Sequence, residues 1–201
     1  TMPRRRAAHS PDPSLQPALF AMTELHLPTP PRRLFTALFP PPDACAAIDA
    51  ERQRWRGLPR NLHPVQERMH IALQCFNQVD APHERAWRAA LGALCLQPFD
   101  IALTHVDLWH TPSDTIAVLL PEPSQSLAAL HQATAQLARQ AGLPASTTDW
   151  RPHLTTLRGA QKATPQPLTQ PITWTVRHLD LIWLELKARP PRYHRLARFP
   201  D

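Results

Sequence analysis

Apolar positions recur with two different spacings along residues 33–199, and the two spacings predict a mixture of helices and strands. Apolar residues at helical spacing predict helices at 42–56, 81–94 and 124–141. Short apolar or alternating runs predict strands at 34–39, 69–76, 99–109, 115–120, 153–158, 172–186 and 193–199. The run 172–186 is long enough to be either one strand or a hairpin.

The order of these elements separates the possible fold classes. Strands and helices alternate, but without the regular repetition of a doubly wound parallel sheet, and this favours an α+β protein. The four glycines of the chain are too few to build a glycine-rich phosphate loop. The chain also looks roughly duplicated, because each half has a helix before a strand that carries a histidine.

The first 31 residues differ in composition from the rest. They contain many prolines and several arginines, with little periodic apolar pattern. This composition is typical of a flexible tail that lies outside a fold. We therefore place the folded domain at 32–201.

Charge and cysteine content predict the kind of partner and the cellular compartment of the protein. The formal net charge is +6 with neutral histidines, which indicates an anionic partner. The three cysteines are odd in number and have no metal-ligand spacing, so we expect reduced thiols in a cytoplasmic protein. No apolar run approaches the length of a membrane span, so we expect no membrane partner.

The segment His153-Leu154-Thr155 carries the clearest candidate chemistry. Residues two apart on a strand project to the same face, so the imidazole and the hydroxyl would lie side by side. Imidazole transfers protons near neutral pH, and a hydroxyl can donate to a phosphate oxygen. Arg158 adds a permanent charge with a donor fork suited to phosphate. Its parity in a regular strand is opposite to that of His153, so it must reach round the strand end or follow a local bend.

The segment His70-Ile71-Ala72 has the same setting, with a methyl group where the other segment has a hydroxyl. In a regular strand Gln74 lies on the same face and is the nearest polar substitute. Neither histidine has a second histidine or a carboxylate at a metal-ligand spacing, so we predict no metal site.

Together the two segments resemble the paired His-x-Thr/Ser motifs of the 2H phosphoesterase superfamily, and specifically those of the bacterial RNA 2′,3′-cyclic phosphodiesterases, also called 2′-5′ RNA ligases. The segments that carry the resemblance are 33–40, 65–76, 151–158 and 174–199, so the likeness covers about residues 32–199. In that family the motifs face each other across a cleft. The resemblance implies a bilobal α+β fold, with two pseudo-symmetric lobes of antiparallel sheet, outer helices and a central active-site cleft.

The resemblance also implies an activity, which is hydrolysis of a terminal 2′,3′-cyclic phosphate of RNA to a 2′-phosphate without a metal or other cofactor. By position, His70 would protonate the departing 3′ oxygen and His153 would take a proton from water. Thr155 and Arg158 would hold the non-bridging oxygens. The resemblance further implies reversible 2′-5′ ligation, which uses the same two proton-transferring groups. The implied partners are RNA ends or small cyclic nucleotides, with no obligate protein partner.

Two positions depart from the family pattern. Ala72 lacks the hydroxyl of the first motif, and a missing hydrogen bond to a charged phosphate costs roughly 1.5–3 kcal/mol. This is on the order of a ten- to hundredfold loss in rate. Thr36 stands where the family usually has a large aromatic residue, and we hypothesise that it supplies the hydroxyl that Ala72 lacks.

Three alternatives to this activity stay open at the level of sequence. A related 2H enzyme would act on another small phosphoester, such as a cyclic nucleotide derivative or an ADP-ribose cyclic phosphate. A binding module would keep the RNA-end site with weakened catalysis, which Ala72 and the basic termini suggest. A plain globular protein with incidental histidines would leave the flanking likeness unexplained.

Overall fold

The computed structural model describes residues 29–201, and the predicted tail at 1–31 lies outside this part except for its last three positions. The described strands are β1 Arg32–Leu38, β2 Ile71–Val79, β3 Phe99–His110, β4 Thr115–Pro121, β5 Leu154–Leu157, β6 Ile172–Val176, β7 Leu179–Glu185 and β8 Arg192–Phe199. The α-helices are α1 Pro42–Gln53, α2 Ala81–Leu91 and α3 Gln125–Gln140. A short 3-10 helix, Gln66–Arg68, precedes β2.

The strands form one sheet in the order β6-β3-β4-β5-β2-β1-β7-β8, and all neighbouring strands are antiparallel. The sheet consists of two groups of four strands, which meet between β5 and β2. At this junction Ile71 pairs with Leu154. The predicted α+β class with antiparallel sheet is confirmed.

The prediction for 172–186 is wrong, because this segment is neither one strand nor a hairpin. It contains β6 and β7, but β6 pairs with β3 at the edge of one half and β7 pairs with β1 in the other half. Consecutive strands often pair, and the hairpin alternative relied on that tendency. Here each strand pairs with a strand that is distant in the sequence. A pattern of apolar residues does not indicate such long-range pairing.

Helices α2 and α3 begin at residues whose side chains accept hydrogen bonds from free backbone amides. The Asp80 side chain caps α2 by accepting a hydrogen bond from the amide of His83 at 2.9 Å, and Ser124 caps α3 by accepting from the amide of Leu127 at 3.1 Å. The predicted ends of α1 and α2 are three residues too late, since these helices end at Gln53 and Leu91.

Each half of the sheet is covered by a helix that follows a strand of the other half. Helix α1 follows β1 but packs on β5 and β6, whereas α3 follows β4 but packs on β2. The apolar residues between sheet and helices form the main core, which includes Leu34, Ile48, Ile71, Trp87 and Leu154. This exchange of helices binds the two halves together through buried apolar surface.

A smaller apolar cluster lies on the opposite face of the sheet. It consists of Phe35, Ala37 and Ile182, with the half-buried Phe39 and Tyr193 packed against it. Because side chains alternate along a strand, β1 sends Leu34 into the main core and Phe35 to this second face. The second face of the sheet therefore has an apolar surface against which the side chains of a site can pack.

The cysteines and the helix lengths can be compared with the predictions from the sequence. Cys45, Cys75 and Cys95 are all unpaired thiols. No helix among residues 29–201 is both long enough and apolar enough to cross a membrane.

Gly57→Ala is expected to lower the free energy of unfolding by more than about 1 kcal/mol. Gly57 has φ of 74°, and a Cβ at this position would lie 1.8 Å from the carbonyl oxygen of Lys162. Urea unfolding followed by circular dichroism measures the loss. Gly92→Ala is the control, because Gly92 has φ of −61° and is not in the left-handed region. Equal stability of the two variants would contradict the close approach at Gly57.

Candidate active site

A pocket of about 300 Å³ lies on the second face of the sheet, at the junction of the two halves. Its lining includes five of the residues singled out from the sequence, namely His70, Ala72, His153, Thr155 and Arg158. It also includes residues that the sequence did not indicate, among them Arg33, Phe35, Arg68, Cys75 and Tyr193. The structure thus brings both histidine segments into one pocket.

The pairing of Ile71 with Leu154 sets the arrangement of the two segments. Both histidines stand one residue before their strands, since β2 begins at Ile71 and β5 at Leu154, whereas the sequence placed them inside the strands. Continuing the antiparallel register places Thr155 opposite His70 and Ala72 opposite His153. Residues opposite one another in this way have Cβ atoms about 4.5–5.5 Å apart. Each imidazole therefore adjoins the motif of the other half.

The two imidazoles have the same hydrogen bond to the backbone. Nδ1 of His70 lies 2.7 Å from the carbonyl oxygen of Arg68, and Nδ1 of His153 lies 2.7 Å from the carbonyl oxygen of Arg151. A carbonyl oxygen only accepts, so Nδ1 carries the proton in both rings. The neutral form of each ring then has an unprotonated Nε2, which is the atom able to receive a proton.

Aromatic rings hold both imidazoles in place. The centroid of His70 lies 5.0 Å from that of Phe35 and 5.7 Å from that of Tyr193, and the centroid of His153 lies 4.5 Å from that of Trp109. The residue two positions before each histidine is an arginine, and each arginine lies over one of these aromatic rings. The guanidinium of Arg68 lies over the Tyr193 ring at 5.0 Å, as that of Arg151 lies over Trp109 at 4.2 Å.

Each of the two strands has a β-bulge three residues after its histidine. In the pairing of β2 with β1, the paired residue on β2 changes from Ala72 to Gln74, a step of two, while β1 advances by only one residue. In the pairing of β5 with β4, the paired residue on β5 changes from Thr155 to Leu157 while β4 advances by only one residue. A bulge reverses the alternation of side chains beyond it. This is why Arg158, which has the wrong parity in a regular strand, lines the pocket. The local bend that the sequence required of Arg158 is this bulge.

The equivalent bulge on β2 overturns the prediction for Gln74. It turns the Gln74 side chain away from the pocket and into the main core, where Nε2 donates to the carbonyl oxygen of His131 at 3.1 Å. Cys75 takes the place on the pocket face instead, and it is the counterpart of Arg158 in the other half. The prediction failed because strict alternation was assumed through the bulge.

The hypothesis that Thr36 replaces the missing hydroxyl is also wrong. Thr36 is fully buried on the core face of β1, and its Oγ1 accepts a hydrogen bond from the amide of Gln74 at 3.2 Å. It does not line the pocket, because Phe35 occupies the pocket face of β1. Ala72 does line the pocket, so the methyl group lies where the first motif of the family has a hydroxyl.

The electrostatics of the pocket favour neutral imidazoles and a bound anion. Burial lowers the pKa of His70 to about 4, and the positive charge of Arg158 and the proximity of His153 act in the same direction. The pKa of His153 is lowered by burial and by the charges of Arg151 and Arg158. The lining contains three arginines and no carboxylate, so an anion entering the pocket meets uncompensated positive charge.

The fold and the paired imidazoles define the class of the protein, which is that of the two-histidine phosphoesterases. Residues 40–188 match the family model of the 2′-5′ RNA ligase superfamily, and the chain belongs to this family. No curated protein sequence matches the chain. Within residues 29–201 no group of three or more histidine, cysteine or carboxylate side chains is placed to hold a metal ion.

Solved structures show the same fold. Escherichia coli LigT without ligand has 25% sequence identity and a TM-score of 0.74, with 85% of this chain and 98% of that chain covered. LigT complexed with 3′-AMP has 24% identity and a TM-score of 0.72, with 85% and 98% covered. A protein of Thermus thermophilus has 22% identity and a TM-score of 0.60, with 83% and 96% covered. The family resemblance stated from the sequence is confirmed.

Arg158→Gln is expected to raise the pKa of both His70 and His153, because a nearby positive charge disfavours the imidazolium form. Titration of the imidazole resonances by NMR measures both values, with His70 of the wild type titrating near pH 4. His131 is the internal control, since burial alone lowers its pKa. Unchanged values for His70 and His153 would contradict this electrostatic coupling.

Proposed function

We propose that this protein hydrolyses the 2′,3′-cyclic phosphate at an RNA end to a 2′-phosphate, with His70 and His153 as the two proton-transferring groups. The observation that carries the proposal is the shared arrangement of the two imidazoles. Both rings line one pocket, and both have Nδ1 bound to a backbone carbonyl, so that Nε2 is the reactive atom in each. Two positioned imidazoles supply the acid and the base that the reaction needs.

In the proposed reaction His153 takes a proton from water through Nε2 as the water oxygen bonds to phosphorus. His70 gives its proton to the 3′ oxygen as the bond from phosphorus to that oxygen breaks. One proton enters the enzyme and one leaves it, so the two histidines exchange protonation states. Return to the starting state needs only proton exchange with solvent. With the hydroxyl of another RNA end in place of water, the same two transfers join it to the 2′,3′-cyclic end as the bond to the 3′ oxygen breaks, which is the ligation reaction.

The low pKa of His70 places a condition on this assignment. A general acid must be protonated when the substrate is bound, yet His70 is neutral near pH 7 in the free protein. The negative charge of a bound cyclic phosphate favours imidazolium and raises the pKa of an adjacent histidine. The substrate thereby brings about the protonation of its own acid, and the free pocket holds no unpaired imidazolium.

Thr155 and Arg158 are proposed to hold the non-bridging oxygens of the phosphate. Thr155 is opposite His70 in the register of the sheet, and Arg158 affects the pKa of both imidazoles. Donors placed where negative charge develops stabilise the transition state. The LigT structures with 3′-AMP, NADP+ and ATP show that a relative with this fold binds nucleotides, which supports a nucleotide as the ligand here.

His153→Ala is expected to lower kcat/KM for an oligonucleotide with a terminal 2′,3′-cyclic phosphate by about a hundred- to ten-thousandfold. The assay follows appearance of the 2′-phosphate product in the presence of EDTA, which should leave the rate unchanged. His105→Ala is the control, because His105 lies outside this pocket. Failure of the wild type to produce the 2′-phosphate, or full activity of His153→Ala, would reject the proposed function.

Ala72→Thr is expected to increase kcat/KM by about tenfold to a hundredfold. The added hydroxyl would stand in the pocket beside His153, where neither Thr36 nor Gln74 can act in its place. Steady-state kinetics on the same oligonucleotide measure the gain. Ala72→Val is the matched control, since valine has nearly the shape of threonine without the hydroxyl. Equal gains for both variants would show that packing, not a hydrogen bond, is responsible.

A further inference from the structure

The pocket contains a positive charge that the proposed reaction does not use. Arg33 lines the pocket from β1 and is half-buried. Its Nε is buried without a hydrogen-bond partner, and its guanidinium forms no ion pair within residues 29–201. A buried polar atom without a hydrogen-bond partner is costly, so the Arg33 guanidinium is a group that a ligand would satisfy.

The position of Arg33 is distinct from that of the two histidines. Phe35 is the residue of β1 that contacts His70, with ring centroids 5.0 Å apart. Arg33 lies two residues before Phe35 on the same face of the strand, which corresponds to roughly 7 Å. Arg158 depresses the pKa of both imidazoles, whereas Arg33 is not among the charges that act on either. An anion bound by Arg33 is therefore a second anion beside the one between the histidines.

The other arginines of the pocket have different surroundings. Arg68 donates to the carbonyl oxygen of Pro191 and lies over the ring of Tyr193. Arg158 stands at the imidazoles, where the cyclic phosphate is proposed to bind. Arg33 pairs in register with Leu184 on β7, whose other neighbour is Tyr193 on β8. Arg33 thus has an aliphatic and an aromatic residue as its neighbours across these two strands, and no acidic residue that would compete with an anion.

We propose that Arg33 binds the 5′-phosphate of the nucleotide whose cyclic phosphate lies between His70 and His153. In an RNA end this 5′-phosphate is the linkage to the preceding nucleotide. The inference rests on the proposed function and deepens it, because it makes the substrate an RNA end, or a nucleotide that carries a 5′-phosphate, in preference to a mononucleoside cyclic phosphate. The planar donor fork of arginine suits two oxygens of one phosphate.

Binding of product analogues tests this assignment without turnover. The probes are 2′-AMP and adenosine 2′,5′-bisphosphate, which differ only in the 5′-phosphate. The wild type should bind the bisphosphate about tenfold more tightly or better, as measured by calorimetry at fixed ionic strength. Arg33→Gln should remove this preference and leave the affinity for 2′-AMP within about threefold. Arg85→Gln, which removes an exposed charge from α2, should retain the preference.

Kinetics on matched substrates provide the second arm. Adenosine 2′,3′-cyclic phosphate is compared with its 5′-phosphorylated form, and Arg33→Gln should lower kcat/KM about tenfold for the second substrate only. Arg33→Lys should recover part of the loss, since it keeps the charge without the fork. Circular dichroism confirms that each variant is folded. Equal losses on both substrates, or no loss on either, would overturn the role of Arg33.

Failure of the proposed function gives a different result. If the wild type prefers the bisphosphate and Arg33→Gln removes that preference, while neither cyclic phosphate is hydrolysed, then the second phosphate site is supported and hydrolysis is rejected. If the wild type hydrolyses both cyclic phosphates equally well, then hydrolysis is supported and the 5′-phosphate site is rejected.

Discussion

The pairing of Ile71 with Leu154 is the contact on which the proposed site depends. It joins two four-stranded groups into one sheet, and both residues are fully buried in the main core. The residue before each of them is a histidine, and the register places each histidine opposite the motif of the other half. Burial of this pair therefore fixes two imidazoles on the opposite, solvent-accessible face. A one-residue slip of either strand would send the histidine of that strand to the core face.

Two bulges decide which residues of the two similar halves reach the pocket. Each bulge exchanges the faces of the residues that follow it, so that Arg158 in one half and Cys75 in the other reach the pocket. The two halves share backbone geometry, histidine tautomer and aromatic support, but they differ in the chemistry at equivalent positions. One half contributes Thr155 and Arg158, and the other contributes Ala72 and Cys75. The two proposed phosphate-binding side chains are thus both contributed by the half that carries His153.

Burial and positive charge together determine the protonation of the two imidazoles. The imidazoles are neutral in the free pocket because they are buried, because Arg158 lies nearby and because the lining residues include no carboxylate. In the proposed reaction the bound phosphate pairs with the guanidinium of Arg158 and supplies the negative potential that favours the imidazolium form. The proposal therefore gives substrate binding and protonation of the acid the same electrostatic cause.

The sequence by itself determined the class of fold, most of the helices and strands, and the two histidine segments, because apolar spacing and the flanks of His70 and His153 are local features. Tertiary structure alone decided which side chains share the pocket. Strict alternation put Gln74 on the wrong face and left Arg158 unexplained, since a bulge depends on pairing with another strand. The positions of Arg33, Trp109 and Tyr193 near the two histidines depend on strand order, because residues distant in the chain meet only when the sheet is assembled.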